Sequence, residues 1–264
     1  MLSANEIGEV NRAQRTYARL AGFLMLGAIV IAIGGGAILS NIAGNGNFAE
    51  TAARIAASER LYRLALSSIL IVTLSSTLLA FALYVTLKPV NSLLAQLGMI
   101  FTLGDSFLAL IVQMCSFVRL HLYTSATGAG SIPGELLSDL IRTIAGTTEN
   151  IGGISFGLGS RLFFYLFFTS RYIPRIISVL GFFASVIWTA LYFASLVFPE
   201  RHALLQYICF PPMALAEVVT GFYLMLFSVR KRCRTPAIPD FRIARHPGTI
   251  RSPGLIALLL RRRC

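Results

Sequence analysis

Six long apolar stretches constrain this chain more than any other feature of its sequence. They lie at about 20 to 40, 64 to 87, 93 to 118, 150 to 169, 176 to 198 and 204 to 229. A helix needs about 20 mostly apolar residues to cross the hydrocarbon core of a bilayer, and each stretch reaches that length. Only 13% of the residues are charged and 56% are hydrophobic, which is outside the range of ordinary soluble domains. The sequence therefore predicts an all-α, polytopic membrane helix bundle with about six transmembrane helices.

The apolar stretches divide the chain into three parts. We predict an N-terminal cytoplasmic segment at 1–19, a six-helix transmembrane domain at 20–229 and a basic tail at 230–264. Ten of the 23 lysines and arginines lie in the tail, among four prolines, and such a composition is typical of disorder. The C-terminal arginines could contact anionic lipids of the inner leaflet. The alternative is an extension without a role.

The distribution of positive charge predicts the orientation and excludes one class of partner. With the N-terminus and C-terminus inside, ten basic residues flank the spans on the inner side and six on the outer side. An excess of lysine and arginine marks the cytoplasmic side, so we predict an N-in/C-in topology. The net charge of +12 does not indicate nucleic-acid binding, because the basic residues form no face with interleaved aromatic side chains.

Two loops on the predicted outer side have the hydrophobic period of a helix. In "SIPGELLSDLIRTIAG", apolar residues recur at helical spacing, Pro133 and Glu135 suit a helix start, and Gly146 suits its end. The stretch "NFAETAARIAASERLYR" has a weaker pattern of the same kind. We expect both to be short amphipathic helices lying on the outer face, although the first could instead be a lid over a pocket.

Four stretches, in order along the chain, resemble a bacterial membrane family. They are "SERLYRLALSSIL", "ALYVTLKPVNSLLAQLG", "GLGSRLFFYLFFTSRYIPRIISVLGFFASV" and "PPMALAEVVTGFYLML". This combination is similar to the family called domain of unknown function 4386, from about residue 19 to about residue 230. The resemblance implies a multi-pass protein of the bacterial inner membrane, and it implies no catalytic or binding residue.

Three ionisable residues are predicted to lie at the same depth in three different spans. Glu217 and Asp105 fall near the middle of the sixth and third stretches, and Arg161 falls near the middle of the fourth, if that span begins near residue 150. A charge at the bilayer centre costs about 2.5 to 3.5 kcal/mol on insertion scales, so such residues usually face the bundle interior and pair. Our hypothesis is that Arg161 bridges the two carboxylates.

The predicted cluster has a structural and a functional interpretation. Buried ion pairs commonly fix which helices are neighbours, and this structural role is the main prediction. The alternatives are a proton or ion relay, in which one acid keeps its proton at pH 7, and a polar ligand pocket. Pro211 and Pro212 are expected to break or kink the last span just before Glu217, and transporters combine broken helices with acids in this way.

The remaining signals indicate packing and no chemistry. Gly153 and Gly157 form a GxxxG pattern that predicts close approach of a neighbouring helix. The four cysteines and three histidines show no metal-ligand spacing, and no cofactor or catalytic motif is found, so we expect no enzyme.

Two classes of function remain. The first is a structural or regulatory membrane protein whose midplane charges serve assembly. The alternative is a small proton- or ion-coupled transporter that uses the same charges. The six spans divide into two halves of three spans with opposite orientation. Asp105 lies on the third span of the first half and Glu217 on the third span of the second, an arrangement typical of an inverted repeat. A cavity reaching the midplane would favour transport, and a dry packed cluster would favour assembly.

Overall fold

The computed structural model describes residues 4–44, 46–125, 132–198 and 202–227, and these residues form seven helices. The helices are α1 (Ala4–Ala43), α2 (Phe48–Ala57), α3 (Glu59–Leu87), α4 (Ser92–Ser125), α5 (Ile132–Ser170), α6 (Arg175–Val197) and α7 (His202–Phe227). All except the short α2 contain a segment that is long and apolar enough to cross a membrane. The predicted all-α bundle with about six spans is confirmed. The predicted tail at 230–264 lies outside the described residues.

The six long helices form a closed ring in chain order. Each packs on the next along the chain, with α1 against α3, and α7 returns to pack on α1. The ring closes at Gly22 and Gly221, where a Cβ atom on Gly22 would stand 2.5 Å from the carbonyl oxygen of Gly221. Because neither residue has a side chain, the two backbones touch directly.

Large apolar side chains cover the outer surface of this ring. Ile176 is 82% exposed, Phe107 72% and Val30 71%. Soluble monomers rarely expose contiguous apolar patches larger than a few hundred Å², and every span of this ring carries such residues. The surface is therefore suited to lipid tails and not to water.

A buried glutamine ties three elements together at one end of the bundle. Gln14 of α1 donates from Nε2 to the carbonyl oxygen of Thr86 in α3 (2.7 Å) and to the hydroxyl oxygen of Tyr172 (3.0 Å). Tyr172 lies in the short connection from α5 to α6. This end therefore contains the start of α1, the α3–α4 connection and the α5–α6 connection.

The short helix α2 caps the opposite end. The side chain of Asn47 accepts a hydrogen bond from the backbone N–H of Glu50 (2.8 Å), which fixes the start of the helix. Ala52 and Ile55 are buried against Leu66 and Tyr123 of α3 and α4. The amphipathic face of α2 is thus packed on the bundle itself, whereas we expected it to rest in the lipid headgroups.

The outer-loop helix predicted from "SIPGELLSDLIRTIAG" is not a separate element. It is the first part of α5, which runs through Gly146 without a break for 39 residues. A glycine inside a helix costs only about 1 kcal/mol relative to alanine, and no proline follows Pro133 before Pro174. Gly146 therefore does not end the helix, and the prediction of two separate helices here was wrong.

The prolines of the last span do not break it. The helix α7 continues through Pro211 and Pro212 up to Phe227. Each proline removes one backbone N–H donor, but the flanking hydrogen bonds keep the helix intact. The predicted helix break near Glu217 is therefore wrong, and the alternative, a kink at the two prolines, stays a prediction.

Candidate functional site

A partly open cavity of about 400 Å³ lies between the six long helices of the ring. All six long helices contribute to its wall, each through the middle part of its length or near it. Representative lining residues are Ile29 of α1, Ser76 of α3, Asp105 of α4, Glu149 of α5, Trp188 of α6 and Glu217 of α7. The cavity therefore exists only because the ring closes, and no single helix defines it.

Three acids line this cavity from three different helices. Asp105 and Glu217 are half-buried, and Glu149 is more exposed. Asp105 is close enough to both of the other carboxyl groups for electrostatic interaction. The two acids that the sequence predicts at the midplane are therefore brought together, and a third acid joins them.

Positive charge is missing from the described wall of the cavity. No lysine, arginine or histidine is among the described residues that line it. Asp105 and Glu217 share a low-dielectric space, and two carboxylates in such a space repel one another when both are ionised. A proton or a bound cation between these two acids would relieve the repulsion.

The structure does not bring Arg161 to the acids. It forms no ion pair with Asp105 or Glu217, which are both described, and its Nε atom is buried without a hydrogen-bond partner. A Cβ atom on Gly152 would lie 3.1 Å from the Oδ1 atom of Asp105, so Gly152 marks the level of the acids on α5. Arg161 is nine residues further along α5.

Helix geometry explains why the predicted bridge is not formed. Nine residues correspond to about 13.5 Å along an α-helix and to a rotation of about 180° around it. Arg161 is therefore displaced along α5 and turned to the other side of it. The depth of Arg161 was derived from a span beginning near residue 150, but the register of α5 against α4 puts Gly152, and not Arg161, at the level of Asp105.

An aromatic wall stands beside the acids. Trp188 stacks on Tyr192 with ring centroids 5.0 Å apart, and Phe156 meets Trp188 edge to face at 5.5 Å. The indole N–H of Trp188 donates to the carbonyl oxygen of Gly153 at 3.0 Å, which fixes the orientation of the indole ring. All four residues line the cavity.

The two glycines of the GxxxG pattern lie at the contact between α5 and α6. A Cβ atom on Gly153 would overlap the ring of Tyr192, and one on Gly157 would overlap the hydroxyl of Thr189. Their lack of side chains lets α6 bring Trp188 and Tyr192 against α5. The packing role predicted for these glycines thus also sets the position of the aromatic wall.

Sequence reasoning missed Glu149. The apolar stretch was taken to begin just after this residue, so Glu149 was assigned to a loop. In the structure Glu149 precedes Gly152 by about one turn on the same helix, close to the level of Asp105. The detectable signal was the uninterrupted helical pattern from 132 to 170, which contains no proline after its first turn.

A closed ring of six helices, each long and apolar enough to cross a membrane, around a mainly apolar cavity that contains three acids, defines a multi-pass membrane protein. The family model called domain of unknown function (DUF4386) matches residues 20–227, which is most of the chain, and the protein belongs to this family. No curated protein and no solved structure matches the chain. The family membership confirms the resemblance seen in the sequence and brings no assigned activity with it.

Proposed function

We propose that the protein is a small carrier that binds an organic cation in its central cavity and exchanges it for protons. The observation that carries this proposal is a cavity at the centre of six spans whose described wall holds three acids and no base. The alternative, a purely structural role for the charges, rested on an ion pair between Arg161 and the acids, which is not formed.

The cost of membrane burial supports a role for Asp105 and Glu217 beyond folding. Each charged side chain costs about 2.5 to 3.5 kcal/mol at the centre of a span, and such residues usually recover this through a partner or a water-filled path. Asp105 and Glu217 share one cavity, and no described arginine or lysine lines it. A transported cation would supply positive charge to these two acids intermittently.

The size and the aromatic wall of the cavity favour an organic cation over a bare metal ion. A volume of about 400 Å³ lies in the range of small-molecule pockets and far exceeds the share of one water molecule. Aromatic faces attract cations, most strongly the face of a tryptophan. Trp188, Tyr192 and Phe156 line the cavity together with the carboxylates, and Trp188 and Tyr192 each use one face to stack on the other. Amines and quaternary ammonium ions combine the charge and apolar surface that this wall would bind.

Protons and the cation compete for the same carboxylates in this proposal. A protonated carboxyl group offers no net negative charge, so cation affinity should fall as the pH falls and binding should release protons. No covalent chemistry is proposed for the site. The predicted inner-membrane localisation and the N-in/C-in topology remain part of the proposal, because a proton gradient across that membrane would drive the exchange.

Binding can be measured with the only tryptophan of the chain as the reporter. Trp188 lies in the cavity wall, so its fluorescence should change saturably when tetraethylammonium is titrated into the purified protein. We expect tighter binding at pH 8 than at pH 6, and loss of about ten-fold or more in affinity for Glu217→Gln. Asp139→Asn is the matched control, because this exposed acid of α5 does not line the cavity.

Transport is tested separately in proteoliposomes. An imposed proton gradient should drive uptake of radiolabelled tetraethylammonium, and Glu217→Gln should abolish the uptake while Asp139→Asn retains it. Saturable binding without any flux would contradict the proposed transport and would show that the protein only binds the cation. Absence of both binding and flux across a panel of amines and quaternary ammonium ions would overturn the proposal.

A further inference from the structure

A second cleft lies between α5 and α6, on the outer surface of the ring. Its volume is about 250 Å³, and it is lined by Tyr165, Phe168, Ser178, Val179, Phe182 and Phe183. Phe183 is 61% exposed, Tyr165 45% and Phe168 39%, so the cleft faces outward and is separate from the central cavity. Its wall is almost entirely carbon, which suits an acyl chain.

One hydroxyl in this wall has an unusual environment. Ser178 is fully buried and its Oγ atom has no hydrogen-bond partner. The other serines and the threonine of α6 each donate to the carbonyl oxygen four residues earlier, as Ser185 does to Gly181 (2.6 Å), Thr189 to Ser185 (2.8 Å) and Ser195 to Leu191 (3.0 Å). A buried hydroxyl without a partner is uncommon. Ser178 belongs to the cleft wall but is covered by its neighbours, so an acceptor from another molecule reaches its hydroxyl only when the side chains of the wall move apart.

Positive charge lies at the mouth of the cleft. The guanidinium of Arg175 stands 5.7 Å from the centroid of the Phe168 ring, which is part of the cleft wall. Arg175 is exposed and begins α6, whose N-cap residue Pro174 makes no side-chain capping hydrogen bond. The first N–H groups of a helix attract anions. No aspartate or glutamate occurs in the sequence between residues 150 and 198 to compete for this charge.

We propose that this cleft binds one anionic glycerophospholipid. The phosphate lies against Arg175 and the first turn of α6. Ser178 is three residues further along, about 4.5 Å deeper, where its hydroxyl donates to an ester carbonyl oxygen of the lipid. An acyl chain occupies the apolar cleft along Val179 and Phe183. Charge, hydroxyl and apolar wall thus follow the order of phosphate, ester and chain in such a lipid.

The lipid is identified by native mass spectrometry of the full chain in detergent. Phosphatidylglycerol and phosphatidylcholine with the same acyl chains are titrated separately, and inorganic phosphate is added as a competitor. We expect saturable binding of one phosphatidylglycerol that is about ten-fold weaker or more in Arg175→Gln. Val179→Trp should have a similar effect, because it fills the cleft from its exposed side.

Two control variants distinguish binding at this cleft from general attraction of phosphatidylglycerol to positive charge or apolar surface elsewhere on the protein. Lys88→Gln removes an exposed positive charge at the same end of the bundle, and Ile176→Trp adds a bulky group to an exposed position of α6 that does not line the cleft. Both should bind phosphatidylglycerol with at most about two-fold weaker affinity. Equal losses in Lys88→Gln and Arg175→Gln, equal binding of phosphatidylcholine, or complete displacement by inorganic phosphate would each overturn the site.

Discussion

Asp105 of α4 lies directly opposite Gly152 of α5, with only 3.1 Å between the carboxylate oxygen Oδ1 and the place where a Cβ atom of Gly152 would be. The absence of a side chain at this point leaves the carboxyl group space within the cavity. Glu149 lies one turn away on the same helix and also lines the cavity. The register between α4 and α5 therefore decides which polar residues meet.

A side chain introduced at Gly152 should impair ligand binding more than folding. In Gly152→Ala, the added Cβ atom would lie 3.1 Å from the flexible carboxylate of Asp105 and take up part of its space, whereas the neighbouring contact with the Cβ atom of Leu108 is an ordinary 3.5 Å. We expect the tetraethylammonium response of Trp188 to weaken about three-fold or more, with thermal stability nearly unchanged. Gly146→Ala is the control, because no atom lies within 4 Å of its added Cβ. Equal binding by the two variants would argue against Asp105 as part of the site.

Arg161 and Glu217 should behave as independent residues. A double-mutant cycle on detergent-solubilised protein with Arg161→Met and Glu217→Gln is expected to be additive within about 0.5 kcal/mol, because the two side chains form no ion pair. The free energy of unfolding can be followed by chemical denaturation with a mild detergent held constant. A coupling free energy above about 1 kcal/mol would instead support the ion pair between Arg161 and Glu217 that the sequence predicts.

The closure of the ring should depend on Gly22. A Cβ atom there would lie 2.5 Å from the carbonyl oxygen of Gly221 and 2.7 Å from the backbone nitrogen of Met225, and neither backbone atom can move independently of α7. We expect Gly22→Ala to destabilise the protein by about 1 to 3 kcal/mol in thermal unfolding. Gly27→Ala on the same helix meets nothing within 4 Å and should be neutral or slightly stabilising. Equal stability of the two variants would contradict the close contact between α1 and α7.

Gln14 should be the main polar tie at its end of the bundle. The variant Gln14→Ala loses both hydrogen bonds and leaves the carbonyl oxygen of Thr86 and the hydroxyl of Tyr172 without this donor. We expect a loss of about 1 to 3 kcal/mol, measured by denaturant titration. Tyr172→Phe removes only the longer of the two bonds and should cost less. A larger loss in Tyr172→Phe than in Gln14→Ala would show that the stabilisation has another source.

Local sequence signals were reliable where a single helix determines the outcome. Apolar length predicted six spans, since crossing a bilayer depends only on the number of consecutive apolar residues. The family resemblance was also correct, because it rests on the order of several stretches. Asp105 and Glu217 were singled out because an isolated acid in an apolar span is conspicuous without any knowledge of neighbouring helices.

Helix ends were harder to predict, and one error affected the site. Gly146 was taken as the end of a short helix, although α5 continues through it, and this placed Glu149 in a loop. The depth of Arg161 was counted back from the end of the apolar stretch at Arg171, which gives no information on the register of α5 against α4. A glycine carries only a weak preference against helix, and packing overrides it. Likewise, α7 continues through Pro211 and Pro212, where a helix break was one of the two expected outcomes.

The sequence by itself determined that the chain is a helical membrane protein with two acids deep in its spans. Only the tertiary structure decided that the ring closes from α1 to α7, that Glu149 joins Asp105 and Glu217 at one cavity, and that Arg161 is excluded from it. The physical reason is that a span's length and polarity are properties of one segment. Which residues meet depends instead on the rotation and register of each helix against its neighbours, and these are fixed by contacts such as Gly152 with Asp105 and Gly22 with Gly221.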